Sequence, residues 1–236
     1  MNSETNNTPS SEIATLEAEV RSVVEQGHDV QETVRQLTLR KISAHSLDIE
    51  SLRQIAGAVL RGARAGAQKE LNQTVNQNEN ARAQLRQAVA GLDVALAQLA
   101  EASKLAVEEA SSRAQKFSSE DLSKTRADLE ALESMFMETL QTTAASSKDV
   151  AGDILHDLAA HTRTHGSAVG AQIRETLSVI SHQIGIAGRT QVAVGLHLAH
   201  ATSDLLRQIA AGVLTGLADH VKPGQSRPAP TNTKEG

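Results

Sequence analysis

The side chains best suited to chemistry in this sequence are histidines, and seven of the nine lie after residue 155. Asp157, His161 and His165 recur at four-residue intervals and would share one stripe of a helix. Imidazole and carboxylate groups at this spacing can bind a divalent metal ion. No recognised motif supplies the remaining ligands, so we expect a solvated polar face and no metal or other cofactor.

The other polar groups give less indication of catalysis. His197, His200 and Asp204 form a weaker set of the same kind. The adjacent carboxylates Glu108 and Glu109 fit the solvated face of a long helix. The sequence has no cysteine, no phosphate loop, no dinucleotide fingerprint and no Gly-x-Ser-x-Gly motif. We therefore predict that the protein is not an enzyme, and no small-molecule substrate is evident.

Composition indicates which elements carry these residues. Aromatic residues make up 1% of the chain, and no proline lies between Pro9 and Pro223. Proline breaks helix interiors, and the Ala, Leu, Glu, Gln and Arg that dominate this region are strong helix formers. The sequence predicts an all-α fold, an elongated helical bundle or hairpin of long amphipathic helices with coiled-coil character.

The predicted organisation has four parts. Residues 1–10 form a disordered polar lead, and residues 11–45 form short N-terminal helices that end near Gly27 and Ile42. Residues 46–221 form the long-helix bundle, and residues 222–236 form a disordered tail rich in proline and glycine. Residues 48–115 are either one very long helix or two helices separated by a bend in the polar stretch 72–80.

An eleven-residue phrase occurs twice, at residues 52–62 and 206–216, with eight of the eleven positions identical. On a helix, the large aliphatic residues and the last glycine of each copy share one stripe. These residues are Leu52, Ile55, Val59 and Gly62 in the first copy, and Leu206, Ile209, Val213 and Gly216 in the second. The glycine end would let a neighbouring helix come close. We predict that the two copies dock on each other or that each receives the same kind of partner helix.

The most regular heptad pattern lies between the two copies. Its apolar positions are Leu85, Val89, Leu92, Leu96 and Leu99. Apolar residues at alternating intervals of three and four form the seam of a coiled coil. We expect this seam and the two phrase stripes to be the interaction residues of the protein.

Three stretches, residues 47–62, 102–110 and 117–122, together resemble an uncharacterised all-helical family of proteobacterial proteins. The resemblance covers most of residues 30–220 and implies a helical fold without an assigned function. A more general similarity to phasins, the helical proteins that coat polyester storage granules, rests on size, Ala and Gln content, missing cysteine and amphipathic helices.

These features predict a non-enzymatic scaffolding protein that acts through self-association or helix–helix contacts, and we expect a homo-oligomer. The alternative is a phasin-like protein that coats a hydrophobic granule or a membrane surface. A net charge of −5 without a long basic run argues against nucleic acid as a partner. The polar N-terminus and the lack of a long apolar run predict a cytoplasmic location.

Overall fold

The computed structural model of the protein describes residues 9–44, 48–71, 77–112 and 119–190, and within these ranges the chain forms seven α-helices and no strand. The helices are α1 (Pro9–Gln26), α2 (Val30–Ala44), α3 (Ile49–Leu71), α4 (Gln77–Ser112), α5 (Ser119–Ala145), α6 (Val150–His165) and α7 (Ala168–Thr190). The predicted all-α bundle is confirmed. Of the predicted disordered termini, residues 1–8 and 222–236 lie outside the described residues.

The first helix begins slightly earlier than the sequence analysis placed it. Pro9 and Ser10 already belong to α1, and proline is tolerated in a first turn because the missing N–H has no helical partner there. Gly27 ends α1 with a φ of +71°, and its N–H donates to the Val23 carbonyl at 3.1 Å. The predicted stop at this glycine is confirmed, since a positive φ favours glycine.

The polar stretch after the first phrase separates two helices. α3 ends at Leu71, α4 begins at Gln77, and the two helices pack against each other. A single helix over residues 48–115 is therefore wrong, and the alternative with two helices is confirmed. Residues 72–76 themselves lie outside the described residues.

One hydrophobic core joins all seven helices. α1 packs mainly on α3, and α2 packs mainly on α4. α5 lies against α3, α6 and α7, while α7 also lies along α4. The short N-terminal helices thus share their core with the longer helices that follow.

The core is built from small and aliphatic side chains, as the composition requires. Alanines occupy many buried positions, and Phe136 is the bulkiest fully buried side chain in the described part of the chain. Buried Thr139 and Thr143 direct their hydroxyls to the backbone carbonyls one turn earlier, at 2.7 and 2.8 Å. These bonds satisfy polar atoms that would otherwise be costly to bury. Within the part of the chain that the structure describes, none of the helices combines the length and the hydropathy of a membrane span.

Candidate functional site

The stripe of the first phrase lies inside the bundle. Leu52, Ile55 and Val59 are buried in the common core, together with the alanines between them. Their apolar area is removed from water by other helices of the same chain, at roughly 25 cal/mol for each Å². This stripe therefore contributes to the stability of the chain's own fold.

The glycine end of the phrase is the place where α1 crosses α3. A Cβ atom on Gly62 would overlap the Glu17 carbonyl and would lie 3.1 Å from Cβ of Val20. One turn later, a Cβ atom on Gly66 would lie 2.7 Å from the Arg21 carbonyl. The backbones of the two helices therefore approach so closely that no side chain fits between them. The partner of the first copy is α1.

The second copy of the phrase lies outside the described residues, in the range 191–236. Its residues are Leu206, Ile209, Val213 and Gly216. The predictions that concern its partner stay predictions.

The heptad seam of α4 is also buried. Its five residues are Leu85, Val89, Leu92, Leu96 and Leu99, and all five belong to the common core. The helices packed around α4 are chiefly α2, α3 and α7. The seam that the heptad predicts is thus covered by helices of the same chain.

A second close crossing, between α2 and α4, was missed by the sequence analysis. A Cβ atom on Gly91 would overlap the Gln31 carbonyl and would lie 3.1 Å from Cβ of Val34. Gly91 itself was the sequence signal for this crossing. Glycine inside a long helix costs about 1 kcal/mol relative to alanine, so its presence there indicates a close packing contact.

The α2–α4 contact also contains a buried arginine that the sequence pattern did not predict. Arg35 donates from Nε to Glu32 at 2.8 Å and from Nη1 to Oε1 of Gln98 at 2.7 Å. The hydrogen bond from Arg35 lowers the pKa of the Glu32 carboxyl. A paired guanidinium can be buried because its charge and its donors are satisfied.

The histidine stripe does not form a metal site in this structure. The rings of His161 and His165 stack with their centroids 4.2 Å apart, and both residues are exposed, as is Asp157. Among the described residues, no group of three or more histidine and carboxylate side chains is arranged to hold a metal ion. His197, His200 and Asp204 lie outside the described residues.

Asp93 is a structurally important carboxylate that sequence reasoning missed. It lies in α4, yet it accepts the N–H groups of Ala168 and Val169 at 2.7 and 2.9 Å, at the N-terminus of α7. Carboxylates at this position satisfy free N–H groups and interact favourably with the helix dipole. Burial, aided by the nearby charge of Glu133, nevertheless raises the pKa of Asp93.

The bundle leaves few large apolar side chains exposed. Among the described residues, the large hydrophobic residues with the greatest exposure are Leu105 and Val150, each 41% exposed. Single exposed aliphatic residues are ordinary on soluble proteins, whereas a binding surface is normally a contiguous patch.

Comparison with known proteins places the chain in a family. A model for a family of unknown function, DUF6781, matches residues 6–223. The chain belongs to this family. No curated protein and no solved structure matches the chain. The expectation of an uncharacterised helical family is confirmed, and the family brings no assigned activity to the chain.

Proposed function

We propose that the chain is a non-enzymatic helical scaffold that self-associates through its C-terminal apolar segment, residues 191–221. The observation that supports this proposal is the burial of the other two predicted seams. The first phrase and the heptad are covered by helices of the same chain. Of the predicted interaction residues, the proposal therefore takes those of the second phrase, which lie in this segment.

The scarcity of charged residues in this segment supports its role as the contact surface. The first part of this segment, residues 191–203, contains no Asp, Glu, Lys or Arg. A long apolar and weakly charged stretch gains free energy when it is buried against another surface. A second copy of the chain offers an identical stretch, and two identical surfaces form closed symmetric dimers.

The polar groups of the bundle support a structural role. Asp93 binds the N-terminus of α7, and Arg35 links α2 to α4. Asp149 accepts the Gly152 N–H at 2.8 Å and begins α6. These groups are engaged in holding helices together, which is the expected use of polar groups in a scaffold.

The two copies of the phrase offer a matched pair of variants as a test. Ile209→Arg changes the second copy, and Ile55→Arg makes the same change at the equivalent position of the first. We expect the wild-type chain to show a mass that rises with concentration in light scattering. Ile209→Arg should become monomeric and keep its helicity, whereas Ile55→Arg should lose its fold because it buries an unpaired charge.

Two outcomes would contradict the proposal. A wild-type chain that stays monomeric at every concentration would rule out self-association. An Ile209→Arg variant that keeps the oligomer would place the contact elsewhere. The alternative, a phasin-like coat, predicts instead that the protein floats with lipid or polyester particles and gains helicity on binding them.

A further inference from the structure

An open cavity of about 480 Å³ lies where α1 crosses α3, and four of its seven lining residues are cationic. Arg21 of α1 lines it together with Arg61, Arg64 and Lys69 of α3, while Glu17 is the one acidic residue in the lining. The chain as a whole has a net charge of −5, so this concentration of positive charge is a local feature. Its volume falls in the range of roughly 300–1,000 Å³ that is typical of small-molecule sites.

Two of the four cations each have a carboxylate partner of their own. Arg61 contacts Glu17, and Arg64 contacts Asp149, each at 2.8 Å. Asp149 also begins α6 with a hydrogen bond to a backbone N–H, so Arg64 is held in place by a structural group.

The other two cations share one carboxylate. Arg21 contacts Glu25 at 2.8 Å, and Lys69 contacts the same side chain at 2.9 Å. The hydrogen bond from Lys69, followed by that from Arg21, lowers the pKa of the Glu25 carboxyl. Counted over the described residues, these four cations have three carboxylate partners, which leaves one positive charge in excess at the cavity.

Three of these cations can exchange their carboxylate partner for an anionic ligand with little loss of stability. The side chains of Arg61, Arg21 and Lys69 are 50%, 55% and 57% exposed in their ion pairs. Exposed pairs of this kind contribute little to stability, and often nothing measurable. A ligand with two or more negative charges would contact several of these cations at once, and its charge would be offset in part by the excess positive charge.

We propose that this cavity is a binding site for a phosphate monoester or a pyrophosphate group, bound by Arg21, Arg61 and Lys69. Guanidinium groups present paired donors that match phosphate oxygens, and lysine adds a mobile charge. The close approach of α1 and α3 at Gly62 and Gly66 fixes the distance between the two walls of the site. This site is independent of the proposed self-association.

The first test measures binding of inorganic pyrophosphate to the full chain by isothermal titration calorimetry at low salt. We expect the wild-type chain to bind, and Arg61→Gln and Lys69→Gln each to weaken affinity about tenfold, the effect of losing one charge-assisted hydrogen bond. Arg126→Gln is the matched control. Arg126 is also 50% exposed and contacts Glu130 at 2.8 Å, but it does not line the cavity. Absence of binding, or equal loss in the control, would overturn the proposal.

A second variant predicts a change of the opposite sign. Glu25→Gln removes the carboxylate that Arg21 and Lys69 share, so it should strengthen pyrophosphate binding, whereas the control Glu130→Gln should leave it unchanged. Weaker or unchanged binding in Glu25→Gln would contradict the assignment. The monomeric Ile209→Arg variant should bind as the wild type does, which separates this site from the proposed function.

The source of the phosphate group is a separate measurement. Vesicles that contain phosphatidic acid present a phosphate monoester at a lipid surface. If the chain floats with them and pyrophosphate releases it, the site takes a lipid headgroup. If pyrophosphate binds in solution and the chain does not float, the site takes a soluble phosphorylated ligand. Either result supports the site, whereas absence of pyrophosphate binding rejects it, whatever the chain does with the vesicles.

Discussion

On one face of α3 the neighbour is α1, and backbone lies against backbone. On another face the neighbour is α5, and side chains fill the space between the helices. Gly62 and Gly57, both in the same phrase, belong to these two faces. A Cβ atom on Gly62 would overlap a carbonyl of α1, whereas one on Gly57 would lie 3.9 Å from a methyl group of Thr139 in α5.

The difference shows that the phrase requires glycine only where the backbone of a neighbouring helix lies in direct contact with it. A small residue at Gly62 sets the distance between α1 and α3. On the other face, the α5 side chain nearest to Gly57 is Thr139, and α5 also contributes the fully buried Met135, Phe136 and Leu140 to the common core. One phrase thus takes part in two kinds of packing, and the two kinds should respond to mutation in opposite ways.

The largest effect is expected in the α5 region. Phe136→Ala should lower the free energy of unfolding by about 4 kcal/mol, because it removes a large buried side chain and leaves a cavity. Urea denaturation followed by far-UV circular dichroism measures this, since the chain has no tryptophan. Phe136→Leu is the control and should lose much less. A loss below about 1 kcal/mol for the alanine variant would show that this face is not packed as described.

The contact between α1 and α3 should be destabilised when Gly62 is replaced by a larger residue. Gly62→Ala should cost about 2 kcal/mol, because the new methyl group meets a backbone carbonyl that cannot rotate away. The same denaturation measurement applies, and hydrogen exchange of α1 amides should increase selectively. A neutral Gly62→Ala variant would remove the distinction between the two faces.

The other glycine of the phrase should respond with the opposite sign. Gly57→Ala should raise the free energy of unfolding by about 0.5–1 kcal/mol, since alanine is the better helix former and the nearest obstacle is the mobile end of Arg61 at 3.0 Å. The second copy of the phrase has alanine at the equivalent position, Ala211. If both alanine variants lost stability equally, glycine would be required throughout the phrase.

The smallest expected change in the free energy of unfolding comes from Asp93, and it depends on pH. Burial raises the pKa of Asp93 above its unfolded value, so the folded state binds more protons, and this group contributes less stability as pH rises through its folded pKa. As pH rises from 4 to 7, the free energy of unfolding of Asp93→Asn should therefore increase relative to that of the wild type. Unfolding of both proteins in urea at the two pH values tests this. Glu25 lies on the exposed rim of the α1 crossing, and Glu25→Gln should not show a gain of this sign, because the pKa of Glu25 is lowered.

Hydrophobic spacing was sufficient to predict the helical class and the buried faces. The aliphatic stripe of the first phrase and the five heptad residues are all in the core. The helix stop at Gly27 followed from residue type alone. These predictions succeed because burial of one face depends on local periodicity, which is visible in sequence.

The partners of those faces could not be predicted in the same way. Periodicity shows that the side chains of Leu85 and Ile55 are buried, but it does not show which helix packs against them. Asp93 caps a helix that begins 75 residues later, at Ala168, so no local signal identifies it as a cap. The cavity beside α1 depends on which side chains α1 and α3 bring together, and only the crossing reveals it.

Both glycine crossings join helices that lie before residue 113. α1 meets α3, and α2 meets α4, so the residues of both crossings are synthesised before α5. Synthesis proceeds from the N-terminus, so these two close contacts can form on the ribosome before the larger side chains of α5 pack against α3. We expect stalled nascent chains that expose α4 to protect α1 from protease, and Gly62→Ala to remove that protection. Cleavage of α1 in the wild-type nascent chain would show that the crossing needs the later helices.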